Sequence, residues 1–381
     1  MIYFDNSATT FVLREAAERA CSAMTSDYYN PSAAYGAAYG MEKQVESARR
    51  YFASLLFAKP EEIVFTSGGT ESNNMAVFGT LSAHHGPKEI VTTATEHPSV
   101  YDTVLAAAKQ WNATVRYAPL KPDGTVDVSR LDEVLNEKTA LVSIMHVNNE
   151  LGSINPLSEI REKLHQYAPQ AIFHSDGVQG FLKCQYERGS VDLYSISAHK
   201  LHAPKGIGLL YVKNGTHFAG GQIGGGQERG LRGGTTNVPA ILGMETALRI
   251  YRENLPEWHD RMLQVKKRLS EHLLSLPDVL LNGPSVEEGA PHILNLSFVG
   301  VRGEVLLHAL EQKDICVSTG SACSAKKLGK NRILSSVGIQ GARQEGALRF
   351  SFSPFNTVSE ADMAAEIIEE QLAVLRRYKR R

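Results

Sequence analysis

Cysteine is scarce: the 381 residues contain four, at positions 21, 184, 316 and 323, and no two form a CxxC pair. That count and spacing exclude a disulfide framework and a zinc knuckle. Long apolar runs are missing too, and none approaches the roughly 20 residues that a membrane helix needs. Neither sign of charge dominates, with 40 Lys plus Arg against 41 Asp plus Glu and a formal net charge of −1. Bulk electrostatic attraction to nucleic acid or to an anionic membrane is therefore not expected. The opening MIYFDNSATT carries no basic stretch and does not read as a secretory signal. The expected setting is a reducing cytoplasm, where a cysteine with a role is reactive rather than structural.

What is present is ordinary for a globular protein, with 43% hydrophobic and 21% charged residues. From about residue 60, β-branched runs alternate with helix-like stretches. The runs are Ile63–Thr66, Ile90–Thr93, Thr114–Tyr117, Ala140–Ile144, Ala171–His174, Leu193–Ile196 and Ile207–Val212. This is the pattern of βαβ units, and it predicts an α/β fold with a mostly parallel central sheet. Gln44–Phe57 has the apolar spacing of a helix. Eight glycines fall within fifteen residues between positions 220 and 234, and helical patterns follow at Pro239–Asn254 and His259–Leu276. The remainder reads as a smaller α+β unit: strand Ile293–Phe298, helix Gly303–Glu311, strand Ile315–Val317, strand Leu348–Phe352 and a last helix from Ser359 to Tyr378.

Several polar groups fall at the carboxyl ends of the expected strands, where open α/β sheets bind ligands. Lys200, in Ser197-Ala198-His199-Lys200, could form a Schiff base with an aldehyde cofactor. Asp176 lies two residues past a strand and could hold a pyridinium nitrogen protonated, with Gln179 donating to the ring's phenolic oxygen. Taken alone, Asp176 reads more simply as a helix cap. Ser67-Gly68-Gly69-Thr70-Glu71 joins a strand to a helix as a phosphate cup, yet it is neither a Walker loop nor GxGxxG. His97, in Glu96-His97-Pro98, could stack on a flat ring and shuttle protons, and Asn148 could bond a cofactor oxygen or simply form a turn. Each element is weak alone. Together they meet the needs of pyridoxal 5'-phosphate.

The motifs DNSATT, NPS, SGGTESNN, TEHPSV, VNNELG, His174–Gln179, SAHKLHAPKGIG, RGGTTN, STGSACSA and LRFSF resemble those of NifS/IscS-type cysteine desulfurases. These enzymes belong to the pyridoxal-phosphate-dependent class V aminotransferase superfamily, and the resemblance runs from residue 1 to roughly 375. It implies the aspartate-aminotransferase-like fold, with a large cofactor-binding domain at residues 15–255. The small domain would combine residues 1–14 and 256–381. It further implies that Lys200 holds the cofactor, Asp176 pairs with its nitrogen, Gln179 with its phenolic oxygen, and His97 stacks on the ring. Gly69, Thr70, Ser197 and His199 would cradle the phosphate, joined by Thr235 from the other subunit of a homodimer. Asn148 and Arg349 would hold the carboxylate of L-cysteine, Arg349 through a fork geometry that lysine lacks.

Cys323 sits among Ser, Gly, Ala and Lys residues, with Lys326 and Lys327 nearby to favour its thiolate. It is read as the nucleophile that takes sulfur from cysteine as a persulfide and passes it to a protein acceptor. That acceptor would be an iron–sulfur scaffold or a tRNA-thiolation enzyme. Cys21, Cys184 and Cys316 are read as packed structural residues, and no metal site is expected from His199 and His202. Two positions depart from the family pattern: Tyr35 where a histidine is usual, and Gly177 where an alanine is usual. The same fold also hosts aminotransferases and selenocysteine lyases, and a non-catalytic partner protein is a further alternative.

Overall fold

The computed structural model describes residues 1–86, 88–320 and 331–378. The chain opens with β1 (Ile2–Tyr3), α1 (Arg14–Thr25) and α2 (Gly36–Leu55). It then alternates through β2 (Ile63–Thr66), α3 (Gly69–Ala83), β3 (Glu89–Thr92), α4 (Pro98–Trp111) and β4 (Thr114–Tyr117). Next come β5 (Thr139–Ser143), α5 (Leu157–Tyr167), β6 (Ile172–Asp176), β7 (Leu193–Ser197) and β8 (Gly208–Val212). After the glycine-rich stretch follow α6 (Val238–Glu253), α7 (Leu255–Leu274), β9 (Val279–Asn282), β10 (Ile293–Phe298), α8 (Gly303–Glu311) and β11 (Ile315–Cys316). The last elements are α9 (Arg332–Ser336), α10 (Gly341–Glu345), β12 (Ala347–Ser351) and α11 (Val358–Leu375).

Seven strands form the large sheet in the order β2-β8-β7-β6-β5-β3-β4. β3 through β7 pair in parallel, while β8 runs antiparallel to both β2 and β7. Residues of β5, β6 and β7 are buried almost throughout, as expected for strands covered on both faces. Since only β8 is reversed, the carboxyl ends of β2, β3, β5, β6 and β7 share one edge. That edge carries Ser67–Gly69, His97, Asn148, Asp176 and Lys200.

Two smaller sheets complete the fold, antiparallel β12-β10-β9 and a parallel pair of β1 with β11. The buried side chains form two large cores. One gathers Phe52, Phe65, Phe173, Tyr194, Leu209 and Leu248 around the large sheet. The other gathers Phe4, Leu269, Phe298, Leu310, Phe350 and Ile368 around β10 and β12. Residues 5–12 link them, because Phe4 belongs to the second core and Leu13 to the first.

Most strands start or stop within one or two residues of the sequence expectation. α2 begins eight residues earlier than expected, because Ala38 and Met41 continue the buried stripe of Val45, Ala48 and Phe52 past Gly36 and Gly40. The cysteines need correction. Cys21 is exposed, since α1 buries Ala16, Ala20 and Ala23 instead. Cys316 is partly exposed on the short β11. Cys184 keeps some accessible surface, yet its thiol lies within the protein beside Val147, Ala290 and Ile293, and burial pushes it up to about 12. No described helix is long and apolar enough to cross a membrane.

Candidate active site

Lys200 leaves β7 in the single turn Ala198–Lys200. Its Nζ donates to the carbonyl oxygens of Ser7 at 2.5 Å and Ala8 at 2.7 Å. Burial, helped by the Arg349 guanidinium, pushes the amine down from 10.5 to about 8. A neutral, nucleophilic lysine is thus accessible near physiological pH.

Asp176 ends β6 and is 4% exposed. One oxygen accepts from the Val178 N–H at 2.9 Å, the other from Asn73 Nδ2 at 2.8 Å. Asn73, on the buried face of α3, also donates to Ser99 Oγ at 2.9 Å, and that hydroxyl meets His97 Nδ1 at 2.7 Å. His97 caps α4 by accepting the Ser99 N–H at Nδ1, so its neutral ring carries the proton on Nε2. Burial lowers its pKa, Lys200 and Arg332 add to this, and Asp176 opposes them. A continuous hydrogen-bonded path therefore joins Asp176 to His97.

The cup between β2 and α3 opens onto a cavity of about 440 Å³, lined by Ser67, Gly68, Gly69, Thr70, Ser197, His199 and Lys205 among others. Gly69 is needed there for space. A Cβ at that position would lie 2.6 Å from Val178 Cγ2. The Ser67 N–H points to Glu71, donating to its carboxylate at 2.5 Å, so a negative oxygen already sits at the cup's rim. Glu71 is paired with Arg232, Nε to Oε1 at 2.9 Å. His199 Nδ1 contacts Thr9 Oγ1 at 3.2 Å, and burial pushes its pKa down to about 4. Thr235 lies apart from this cavity, exposed and lining a neighbouring one of about 280 Å³ that shares Ser67 and Gly206.

Arg349 on β12 is 4% exposed. Nη1 donates to the Asn149 carbonyl at 2.9 Å and Nη2 to Asp5 at 2.6 Å, while the buried Nε has no partner. Asn148 is engaged in its own turn: Oδ1 accepts from Glu150 N–H at 2.9 Å and Leu151 N–H at 2.8 Å, and Nδ2 donates to Thr95 O at 3.0 Å. Gln179 donates from Nε2 to the Ser7 carbonyl at 3.0 Å, leaving one amide proton uncommitted on that nitrogen, and His292 Nε2 lies 3.3 Å from its Oε1. Cys323, Lys326 and Lys327 lie outside the described residues.

The residues that sequence reasoning passed over are Asp5, Ser7, Asn73, Ser99 and Lys205. All five lie inside the quoted family motifs without a role assigned to them, and Asn73 carried a further signal: an asparagine inside an otherwise apolar helix face needs a buried partner. Glu96, beside His97, is fully buried, and burial first, then Asp176, pushes its carboxyl up to about 8. It accepts from Met145 N–H and Thr93 Oγ1, both at 2.9 Å, and supports the loop as a neutral acid.

The aminotransferase class-V family matches residues 2–363. The chain belongs to that family. A "NifS/IcsS protein homolog" of Lactobacillus delbrueckii subsp. bulgaricus is 40% identical over 366 residues, covering 95% of this chain and 94% of the relative. The "Cysteine desulfurase IscS" of Vibrio cholerae serotype O1 is 39% identical over 383 residues, covering 98% and 93%. Among solved structures, a NifS-like protein superposes with a TM-score of 0.91 at 34% identity, over 98% of this chain and all, 100%, of the other. SspA, solved in complex with cysteine, gives 0.81 at 29% identity over 94% and 100%. The class-V fold expected from the sequence, with its mostly parallel sheet, is the one observed.

Residues of the site fit the family's cofactor. The cavity at the cup is lined by the first residues of α3 and by a glycine with no room for a side chain, which suits a phosphate at a helix N-terminus. Asp176 is a buried carboxylate, and Lys200 an amine held below its ordinary pKa.

Proposed function

We propose that this class-V protein is a cysteine desulfurase that converts L-cysteine to L-alanine and passes the sulfur, through a persulfide on Cys323, to a protein acceptor. The observation carrying this reading is the meeting of Lys200 and Arg349 at residues 5–8. The lysine bonds the Ser7 and Ala8 carbonyls and the arginine bonds Asp5, so an amine-handling and a carboxylate-handling group flank one short segment. An α-amino acid needs both. The near full-length likeness to relatives named cysteine desulfurases supports the choice of substrate.

In this reading Lys200 would hold pyridoxal 5'-phosphate, Asp176 would face its ring nitrogen, Gln179 its phenolic oxygen, and His97 its ring plane. Gly69, Thr70, Ser197 and His199 would hold the phosphate, with Thr235 supplied by the second subunit of a homodimer; its exposure on its own chain supports that placement. When bound, the cofactor supplies an electron sink that acidifies the substrate Cα–H and weakens the Cβ–S bond. Lys200 Nζ takes the proton from Cα. Arg349, its Nε unpartnered within the protein, binds the substrate carboxylate together with Asn148. The Cys323 thiolate attacks the substrate sulfur: an S–S bond forms, the Cβ–S bond breaks, and the carbon fragment keeps the electron pair and is protonated to alanine. The acceptor serves iron–sulfur cluster assembly or tRNA thiolation, and the sparse cysteines, with no CxxC spacing among them, support a cytoplasmic setting.

The test is incubation with L-cysteine, measuring alanine and protein-bound sulfane sulfur together. Equal amounts of both in the first turnover are expected, and Cys323→Ala should keep the cofactor absorbance while losing persulfide. Full sulfide release by Cys323→Ala refutes the mechanism. Transamination with a keto acid and no sulfane sulfur identifies an aminotransferase instead.

A further inference from the structure

Two side chains that the chemistry above leaves without a task stand between Asp176 and His97. Asn73, in the first turns of α3, is fully buried. Its Nδ2 donates to Asp176 Oδ2 at 2.8 Å and to Ser99 Oγ at 2.9 Å, which uses both of its protons. Its Oδ1 is buried and has no partner among the described residues. An acceptor left bare in this way costs stability, yet turning the amide over would set Oδ1 against the Asp176 oxygen instead. The other Asp176 oxygen is an acceptor too, taking the Val178 N–H at 2.9 Å. The bare Oδ1 therefore goes with an amide held so that both donors face Asp176 and Ser99.

That direction carries on to the ring. A hydroxyl has one proton, and Ser99 Oγ, already accepting from Asn73, gives its own to His97 Nδ1 at 2.7 Å. The Ser99 N–H faces the same nitrogen at 3.2 Å. With two donors converging on it, Nδ1 holds no proton, and the ring carries its proton on Nε2, where no described residue accepts it. Burial favours the neutral ring, Lys200 and Arg332 add to this, and Asp176 and Asp102 oppose them.

We propose that Asn73 and Ser99 are positioning residues that set the proton polarity of the site: through them Asp176 fixes His97 with a bare Nδ1 and a hydrogen-bond donor at Nε2. His97 then meets a bound molecule as a donor and not as a base. Removal of the Cα proton belongs to Lys200, whose amine burial and Arg349 hold at about 8. The consequence for turnover rests on the desulfurase reading, whereas the polarity of the ring does not. The chain of bonds spans three elements, from β6 through α3 to the start of α4, so a change at either intermediate acts on His97 without touching Lys200 or Arg349.

Three variants test this. Asn73→Asp replaces Nδ2 by an oxygen that shares one proton with Asp176 and can only accept from Ser99, so the hydroxyl turns away from His97. Ser99→Ala removes the hydroxyl and keeps the backbone cap. Ser99→Thr keeps the hydroxyl, and the partial exposure of Ser99 leaves room for a methyl group. 15N NMR of the full-length chain, labelled at histidine, reads the share of His97 protonated on Nδ1, with His97 identified by the signal that His97→Gln loses. In the cofactor-loaded enzyme, kcat and KM are measured for alanine formation from cysteine. Asn73→Asp and Ser99→Ala should raise the Nδ1-protonated share about threefold or more, the worth of one hydrogen bond of ordinary net strength. Their kcat should fall fivefold or more with KM within twofold, while Ser99→Thr stays within twofold of the parent throughout. A parent ring protonated on Nδ1 overturns the proposal. So does a smaller rise in that share in both disruptive variants, or a kcat within twofold of the parent in both. If the parent itself forms no alanine, the desulfurase reading fails, and the NMR arm, which needs no cysteine, decides alone.

Discussion

Gly177 follows Asp176, and the ring of Tyr194 occupies the space its side chain would need. A Cβ at this position would lie 2.1 Å from Tyr194 Cζ and 2.2 Å from Cε1, far inside contact distance. Tyr194 cannot easily yield. It is fully buried, its hydroxyl bonds His146 Nδ1 at 2.7 Å, and its ring packs 4.9 Å from Tyr186. The alanine expected here from the family resemblance is therefore disfavoured by one tyrosine. Gly177→Ala must push that ring aside, an overpacking cost of about 1–3 kcal/mol. Displacing the hydroxyl from His146 adds about 1–3 kcal/mol for a buried bond left unmade.

The two effects together give a loss of about 2–6 kcal/mol. With an unfolding entropy of about 2.1 cal/mol/K per residue over 381 residues, that is a fall in Tm of roughly 3–8 °C for a single cooperative transition. Differential scanning calorimetry of the cofactor-free chain measures it. The Gly177 N–H also donates to Ser195 O at 2.9 Å, so a shift here moves Asp176 and should change the absorbance maximum of bound cofactor. Adding Tyr194→Leu should restore part of the loss, because the double variant no longer carries the clash. A Gly177→Ala protein that melts within 1 °C of the parent with an unchanged spectrum refutes the steric account.

Burial holds Lys183 down to about 7 and Lys200 to about 8, both below the ordinary 10.5. The unfolded chain binds those protons more tightly across roughly pH 7–10, so these groups make stability rise with pH there and contribute no slope below it. Urea titrations of the cofactor-free chain should show a smaller rise between pH 7 and 10 for Lys183→Met than for the parent, and an identical slope counts against the assignment. Arg49 and Glu228 form a buried pair, at 2.7 and 2.9 Å through both Nη atoms, and Glu228 also accepts the free Phe65 N–H on edge strand β2 at 2.9 Å. Glu228→Ala should cost about 3–5 kcal/mol, while Arg49→Met with Glu228→Leu recovers most of it, as read from urea midpoints.

The strands of the large sheet were legible because buried parallel strands are written as short β-branched runs. The direction of β8 was not. A strand buried on both faces carries the same residues either way, and only pairing with β2 and β7 sets Gly208–Val212 antiparallel. The start of α2 was hidden by Gly36 and Gly40, whose low helix propensity is overridden by the burial of Ala38 and Met41. Within the site, Lys200, Asp176 and His97 stood out through residue type at strand ends, whereas Arg349, in the middle of β12, was named only by the family resemblance. Asn148 kept both readings open, and its turn bonds are what the geometry displays. The contacts of Lys200 with Ser7 and Ala8 were invisible for a simpler reason: they use backbone carbonyls, which every sequence has everywhere.

Those carbonyls also explain how one lysine can be both held and reactive. Two acceptors at 2.5 and 2.7 Å favour the ammonium, whereas burial and Arg349 disfavour it. The balance near 8 leaves the charged form ordered and the neutral form close in energy. The arrangement depends on residues 5–8 being fixed from both sides. Ser351 O accepts the Asn6 N–H at 3.2 Å and Asn6 Nδ2 at 3.0 Å, and Ser351 Oγ accepts the Ser7 N–H at 2.8 Å, which ties the segment to β12 two residues from Arg349. Gln179 and Thr10 tie it to the large sheet, through Ser7 O and through His199 O at 3.0 Å. Lys200 and Arg349 belong to different cores, yet each is registered against the same four residues. A relative movement of the two cores would therefore have to break these bonds before it could separate the amine from the guanidinium, and the spacing of the two groups is a property of the N-terminal segment.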